Sequence, residues 1–267
     1  MPLRTLYTDL DGTLLGPGGS LFATRNGPTL EAAKAIASLH SHDVELVLVS
    51  GRTRDQLHEI ARLLGASAYI AELGGFIVER GLPDRIHREF GAFEGNGTPF
   101  ERIVRSGAGA FLLERYPGLL ELHTPWANQP REVTMLFRGL VDPTEVNTGL
   151  SDSGYGWLAL QDNGLIRRNI PSLDTPQVHA YHLAPKGVGK AQAVRMHLEL
   201  AGIPGEEAAA VGDSISDLDL ASEVGEMFVV AGTGWKPDES TAANVRLLTR
   251  EAGEGFAEAV GELLGSP

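Results

Sequence analysis

A mostly apolar run, Leu3–Arg4–Thr5–Leu6–Tyr7–Thr8, ends abruptly in Asp9-Leu10-Asp11-Gly12-Thr13. In an extended chain residues two apart share a side, so Asp9 and Asp11 face the same way. Two carboxylates held that close repel unless a cation or a shared proton relieves them. A hard divalent cation such as Mg²⁺ does this through oxygen ligands and commonly arrives with a phosphate. The plain alternative is a strand that ends in a solvated turn, since Asp and Gly are ordinary turn residues. What separates the two is whether other strands end beside this one, because ligands in parallel α/β sheets bind beyond the carboxyl ends of the strands.

The chain supplies such strands. Thr29 to His40 has helical apolar spacing. Val44–Val49 is a dense apolar run that suits a strand buried on both faces. A second helix is expected from about Thr53 to Leu64, then strands at Ala68–Ala71 and Phe76–Glu79 around the turn Glu72-Leu73-Gly74-Gly75. Strand and helix in alternation predict a parallel sheet with crossover helices. After Gly81-Leu82-Pro83 the texture changes to half-buried strands among more Pro, Gly and Arg. This stretch, 83–181, reads as an inserted α+β domain. Its expected elements are a helix over Phe100–Tyr116 weakened by Gly107 and Gly109, a strand over Glu132–Arg138 and a helix over Pro143–Ser153. Two strands flanking a hairpin turn at Gln161–Gly164, and a last strand near Val178–Leu183, complete it. From 182 the α/β texture returns, with a helix at Gly189–Ala201 whose inward residues read as Ala193, Val194, Met196 and Leu200. A strand at Ala208–Val211, another at Met227–Val230 and a closing helix at Glu251–Leu264 follow. The predicted fold is therefore an α/β core, residues 1–82 and 182–267, carrying an α+β insertion.

Composition narrows the partners. The 267 residues are 42% hydrophobic and 21% charged, which suits a packed globular protein. The formal net charge is −13, which disfavours nucleic acid and anionic membrane surfaces. An anionic substrate then needs local cations or a metal. There is no cysteine, so thiolate chemistry and disulfides are excluded. No signal-like N-terminal segment and no membrane-length apolar run is present, and the cytoplasm is the expected location. No His pair has metal-ligand spacing.

Three further sites sit at strand ends or helix starts. Ser50-Gly51 follows a buried strand, where a hydroxyl and a backbone N–H suit a phosphate oxygen; Ser50 as a helix N-cap is the plain alternative. Lys186 and Lys190 flank a helix start, where a cation opposes the helix dipole and so calls for an anionic partner. The surrounding Pro185–Ala191 lacks the glycine and the Ser/Thr of a P-loop. Gly212-Asp213-Ser214-Ile215-Ser216-Asp217 adds two acids after a strand. Asp213 could share a cation with Asp9, and Asp217 could be an outer ligand or a helix-start acid.

These pieces, in this order, resemble the haloacid dehalogenase superfamily: Asp9–Leu15 its first motif, Ser50-Gly51-Arg52 its second, Lys190 its third and Gly212 to Asp217 its fourth. The insertion resembles the large α+β cap of the branch holding Cof-type sugar phosphatases, sucrose phosphatase and mannosyl-3-phosphoglycerate phosphatase. Its Lys context favours Lys190 over Lys186. The resemblance implies a Mg²⁺-dependent phosphomonoester hydrolase acting through an aspartyl-phosphate. Asp9 would be the nucleophile and Asp11 the acid and base. Gly12, Ser50, Gly51 and Lys190 would bind phosphate, and Asp9, Asp11 and Asp213 the metal. Arg52, Ser214, Ser216 and Asp217 would support them, and Arg131, Arg138, Arg167 and Arg168 are candidate leaving-group contacts in the cap. It implies a small phosphate ester as partner, first a sugar phosphate or glycosyl-phosphoglycerate. Phosphoglycolate, a promiscuous phosphatase activity and a phosphohexomutase activity are the alternatives, with a non-catalytic binding role behind them. Two departures stand out: Ser216 occupies a position usually held by Asn, and Leu73 replaces the Asn of a usual Glu-Asn-Gly-Gly/Ala turn.

Overall fold

Thr5–Thr8 forms the first strand, β1, and all four residues are buried. A strand buried on both faces needs neighbours at each edge and layers above and below. The computed structural model describes residues 2–166, 170–238 and 241–265. It divides into two compact units, Met1–Arg88 with Lys190–Pro267, and Glu89–Gly189.

In the first unit β1 leads into a small hairpin, β2 (Ala23–Thr24) and β3 (Gly27–Pro28). Helix α1 (Glu31–Ser41), β4 (Glu45–Val49), α2 (Arg54–Leu64) and β5 (Ala68–Ala71) follow. Then come β6 (Phe76–Glu79) and β7 (Arg85–Arg88). β6 runs antiparallel to β5, and β7 antiparallel to β6 in the register Phe76↔Arg88 to Glu79↔Arg85. That pairing carries the unit past the boundary expected after residue 82.

The second unit holds α3 (Pro99–Ser106), α4 (Ala108–Arg115), β8 (Leu120–Leu122), β9 (Met135–Gly139) and α5 (Pro143–Asp152). It ends with β10 (Leu158–Leu165) and β11 (His179–Pro185). The strands form one antiparallel sheet in the order β10-β11-β9-β8. Ile103, Leu112, Phe137, Leu150, Leu160 and Tyr181 meet in its core. The single helix expected over Phe100–Tyr116 is broken in two at Gly107. The hairpin expected at Gln161–Gly164 is absent. One strand runs through those residues, pairing with β11 from Leu158↔Pro185 to Leu165↔His179 with a register shift between Asp162 and Leu165. The second hairpin strand falls partly on residues 167–169, outside the described residues. Because β11 pairs with β9 and β10 along most of its length, this unit extends to Gly189 rather than 181.

The chain returns to the first unit as α6 (Lys190–Ala201), β12 (Ala208–Gly212), α7 (Ile215–Leu218), β13 (Glu226–Val229), β14 (Val245–Leu247) and α8 (Ala252–Leu264). The core sheet has the order β14-β13-β12-β1-β4-β5-β6-β7. Its pairs are parallel from β14 through β5. Tyr7, Val47, Ile70, Ala210 and Met227 pack on Ala193, Val194 and Leu198 of α6. The buried residues of α6 are Lys190, Ala193, Val194, His197 and Leu198. Leu200, expected inward, is 43% exposed.

Candidate active site

β4, β1 and β12 are parallel neighbours, with Leu48 and Val211 both level with Thr8. The residues just beyond their ends, Asp9, Ser50 and Asp213, therefore share one edge of the sheet. Asp9 keeps one more ladder bond, its N–H donating to the Val211 carbonyl at 3.0 Å. The chain then folds back, the Leu15 N–H reaching the Leu10 carbonyl at 2.8 Å. Gly12 sits inside this turn at φ +94°, and a Cβ there would overlap the Asp213 carboxylate. Thr13, not singled out from the sequence, is fully buried with its Oγ1 unpaired within the protein. Bound oxyanions commonly satisfy such a group.

Lys190 opens α6 and is buried. Its Nζ donates to Asp9 Oδ1 at 2.8 Å and to Asp217 Oδ1 at 2.7 Å. The anionic partner that a lysine at a helix start requires is thus present twice over, whereas Lys186 is exposed. Asp217 is fully buried, and its other oxygen accepts from Ser214 N (3.0 Å), Ser214 Oγ (2.6 Å) and Asp213 N (3.2 Å). Ser214 is also the N-cap of α7, and its hydroxyl meets Ser216 Oγ at 2.8 Å. Asp217 therefore clamps the loop that carries Asp213 while it holds Lys190.

The charges in this cluster do not balance. Burial pushes the Asp9 carboxyl up to about 7; Lys190 draws it down, and Asp217 and Asp11 push it up again. Burial also works against the Lys190 ammonium, but Asp217 and Asp9 outweigh it and hold its pKa above the ordinary lysine range. Two buried carboxylates share one ammonium, so the site has room for further positive charge. Asp9, Asp213 and Asp217 each place an oxygen within 4.8 Å of the others. An all-carboxylate set suits a hard ion such as Mg²⁺. Lys190 takes only one Asp9 oxygen, and the missing side chain at Gly12 makes space for Asp213. The residues present fit the ion. The Asp11 carboxylate lies outside this cluster, which leaves its backbone carbonyl as the expected ligand. Arg52 grips it with two bonds, Nε to Oδ2 at 2.8 Å and Nη2 to Oδ1 at 2.5 Å.

Ser50 is buried, and its Oγ accepts from the Arg52 N–H at 3.2 Å. It does not cap α2. That role belongs to Thr53, which forms a reciprocal capping box with Gln56. The Ser50–Arg52 loop is pinned by the turn after β5: Glu72 N donates to the Arg52 carbonyl at 2.9 Å and Leu73 N to the Ser50 carbonyl at 3.1 Å. Glu72 and Leu73 make this contact with positive φ, 48° and 59°. That conformation is costly for side chains other than Gly or Asn and is characteristic of functional loops.

Residues 6–85, which carry Asp9, Asp11 and the Ser50–Arg52 loop, match the family described as haloacid dehalogenase-like hydrolase. Over almost its whole length the chain is also similar to phosphoglycolate phosphatase of Metallosphaera sedula, at 27% identity over 98% of this chain and 99% of that one. Phosphoglycolate phosphatase 1 of Saccharolobus solfataricus is 28% identical over 98% and 96%. A crystal structure of a Thermoplasma acidophilum protein superposes with a TM-score of 0.66 at 17% identity, covering 99% of each chain, which shows the shared fold.

The arginines of the second unit differ in what holds them. Arg138 bonds Glu121 Oε1 at 2.7 Å through Nε and the Thr124 carbonyl at 2.9 Å through Nη1, clasping β9 to β8. Arg131 is 8% exposed and donates from Nε to the Thr134 carbonyl and Oγ1, both at 3.1 Å. Arg167 and Arg168 lie outside the described residues.

Proposed function

We propose that this hydrolase cleaves a phosphate monoester through a phosphoryl group carried transiently on Asp9, with Mg²⁺ bound, and that phosphoglycolate is its substrate. The observation that carries the reaction class is Lys190 Nζ placed between Asp9 and Asp217 in a buried site. It holds the nucleophile and presents a cation where the transferring phosphoryl oxygens gather charge. Asp9, Asp213 and the Asp11 carbonyl would hold the ion. When bound, it offsets the repulsion between an anionic nucleophile and an anionic ester.

In the first step an Asp9 carboxylate oxygen forms a bond to phosphorus as the ester P–O bond breaks, and Asp11 gives its proton to the leaving oxygen. In the second step Asp11 takes a proton from a water molecule, which attacks the phosphoryl group and frees Asp9 and inorganic phosphate. Ser50 Oγ and the Gly51 N–H are assigned to the phosphate oxygens; the Gly12 N–H is used within the turn, donating to the Leu15 carbonyl at 3.1 Å. Arg52 orients Asp11. Asp217, through Ser214 and Lys190, keeps the acidic loop in place. The substrate assignment draws on the relatives named for phosphoglycolate that match this chain end to end, and it replaces a sugar phosphate as first choice.

The test is phosphate release from phosphoglycolate and a panel of hexose phosphates, with and without Mg²⁺, by wild type and Asp9→Asn. Mg²⁺-dependent release, highest for phosphoglycolate and lower by at least about 10³-fold in the variant, is expected. Comparable turnover in Asp9→Asn overturns the nucleophile assignment. Bisphosphate-dependent interconversion of hexose phosphates without release would replace hydrolysis by mutase activity.

A further inference from the structure

β1 also carries a tyrosine hydroxyl into the core. Tyr7 precedes Asp9 by two residues and so points to the same side of the strand. It is fully buried in an apolar cluster with Val47, Ile70, Ala193 and Val194. Its hydroxyl lies 2.8 Å from Nδ1 of His197, which is 3% exposed. The two rings meet edge-on, with centroids 5.7 Å apart at 88°. His197 follows Lys190 by seven residues, two turns of α6 and about 10.5 Å along its axis, and so shares its face. The same strand face and the same helix face are therefore joined twice. Lys190 to Asp9 is the contact at the edge of the sheet, and Tyr7 to His197 is the contact inside the core.

Both partners of the inner bond are uncharged. Burial holds the His197 imidazolium below its usual range, so the ring is neutral, and burial keeps the Tyr7 phenol protonated. Tyr7 Oη and Nδ1 then share one hydrogen bond, its donor set by which ring nitrogen carries the imidazole proton. Apolar packing between α6 and the sheet has no preferred direction. A buried hydrogen bond has one: sliding or turning α6 would leave two polar groups unpaired in an apolar core.

We infer that Tyr7 and His197 are positioning residues for phosphoryl transfer, their hydrogen bond fixing the register of α6 against β1 and so holding Lys190 Nζ on the Asp9 nucleophile. This rests on the roles of Asp9 and Lys190 proposed above. Neither side chain touches the substrate. Losing the bond misplaces Lys190 without removing it, which slows the chemical step more than it weakens binding.

The experiment measures kcat and KM for Mg²⁺-dependent phosphate release, together with Tm, for wild type, Tyr7→Phe, His197→Leu, His197→Asn and Lys190→Met. The substrate is phosphoglycolate, or whichever panel ester wild type turns over best. Tyr7→Phe removes one oxygen and leaves the ring. kcat is expected to fall about tenfold in Tyr7→Phe and His197→Leu, with KM within twofold of wild type. The Asn side chain offers an amide oxygen near the position of Nδ1. His197→Asn should recover most of kcat although its smaller side chain lowers Tm, a separation that a purely structural role cannot produce. If kcat stays within twofold of wild type in both Tyr7→Phe and His197→Leu, or if His197→Asn is as slow as His197→Leu, the positioning role is overturned. Full turnover by Lys190→Met would overturn the parent reading of the site instead.

Discussion

At the scale of single residues, Gly12 shows how closely the Asp9–Thr13 loop and the acidic loop approach. Its backbone is left-handed, and any side chain would enter the space of the Asp213 carboxylate. Gly12→Ala should therefore displace Asp213 and lower kcat by about 10²-fold, the scale of an ångström-sized error in a reacting geometry. The strained φ should also cost about 1–2 kcal/mol of stability. Steady-state kinetics with thermal denaturation checks both, and wild-type kcat in this variant would show that the loop relaxes freely. The positions of Asp9, Asp11, Ser50, Lys190 and Asp213 were legible because each follows an apolar strand or opens a helix. The division of labour among the acids was not. Sequence spacing could not show that Lys190 would reach both Asp9 and Asp217, or that Arg52 would hold the Asp11 carboxylate away from the other three.

At the scale of elements, α2 illustrates a signal that sequence carried in plain form. Thr53-Arg54-Asp55-Gln56 has the Ser/Thr-x-x-Glu/Gln pattern of a capping box, and the structure closes it: Gln56 N donates to Thr53 Oγ1 and Thr53 N to Gln56 Oε1. Ser50 drew attention first because it ends the strand. Thr53→Ala should cost about 1 kcal/mol, read as a lower guanidinium midpoint with an unchanged m-value. No change would mean that α2 is held by its buried Leu57 and Ala61 alone. β10 misled for the opposite reason. Asp162-Asn163-Gly164 has strong hairpin chemistry, yet β11 pairs with β10 across those residues, and the Asp162 carboxylate binds His179 Nδ1 at 2.8 Å. His197 on α6 carries no signal of its role in the sequence. An imidazole on an apolar face has its explanation in Tyr7, 190 residues earlier, and no helical period can reveal a partner that distant.

At the scale of the whole molecule, the question is how a chain of net charge −13 admits an anionic ester. Around the site Asp9, Asp11, Asp213 and Asp217 face Lys190 and Arg52, an excess of two negative charges that one Mg²⁺ would cancel. The local field is then close to neutral, and what an approaching anion meets is the field of the rest of the protein. That field acts over about 30 Å at 0.01 M salt and about 8 Å at 0.15 M. Raising ionic strength over this range with a non-chelating salt at saturating Mg²⁺ should therefore raise kcat/KM for phosphoglycolate, by about two- to fivefold. The rise should be smaller for a monoester without the extra carboxylate, because it carries less charge into the same field. Measuring kcat/KM against salt for the two substrates decides the matter. A fall with salt would mean that cations along the approach, rather than the acidic surface, govern entry to the site.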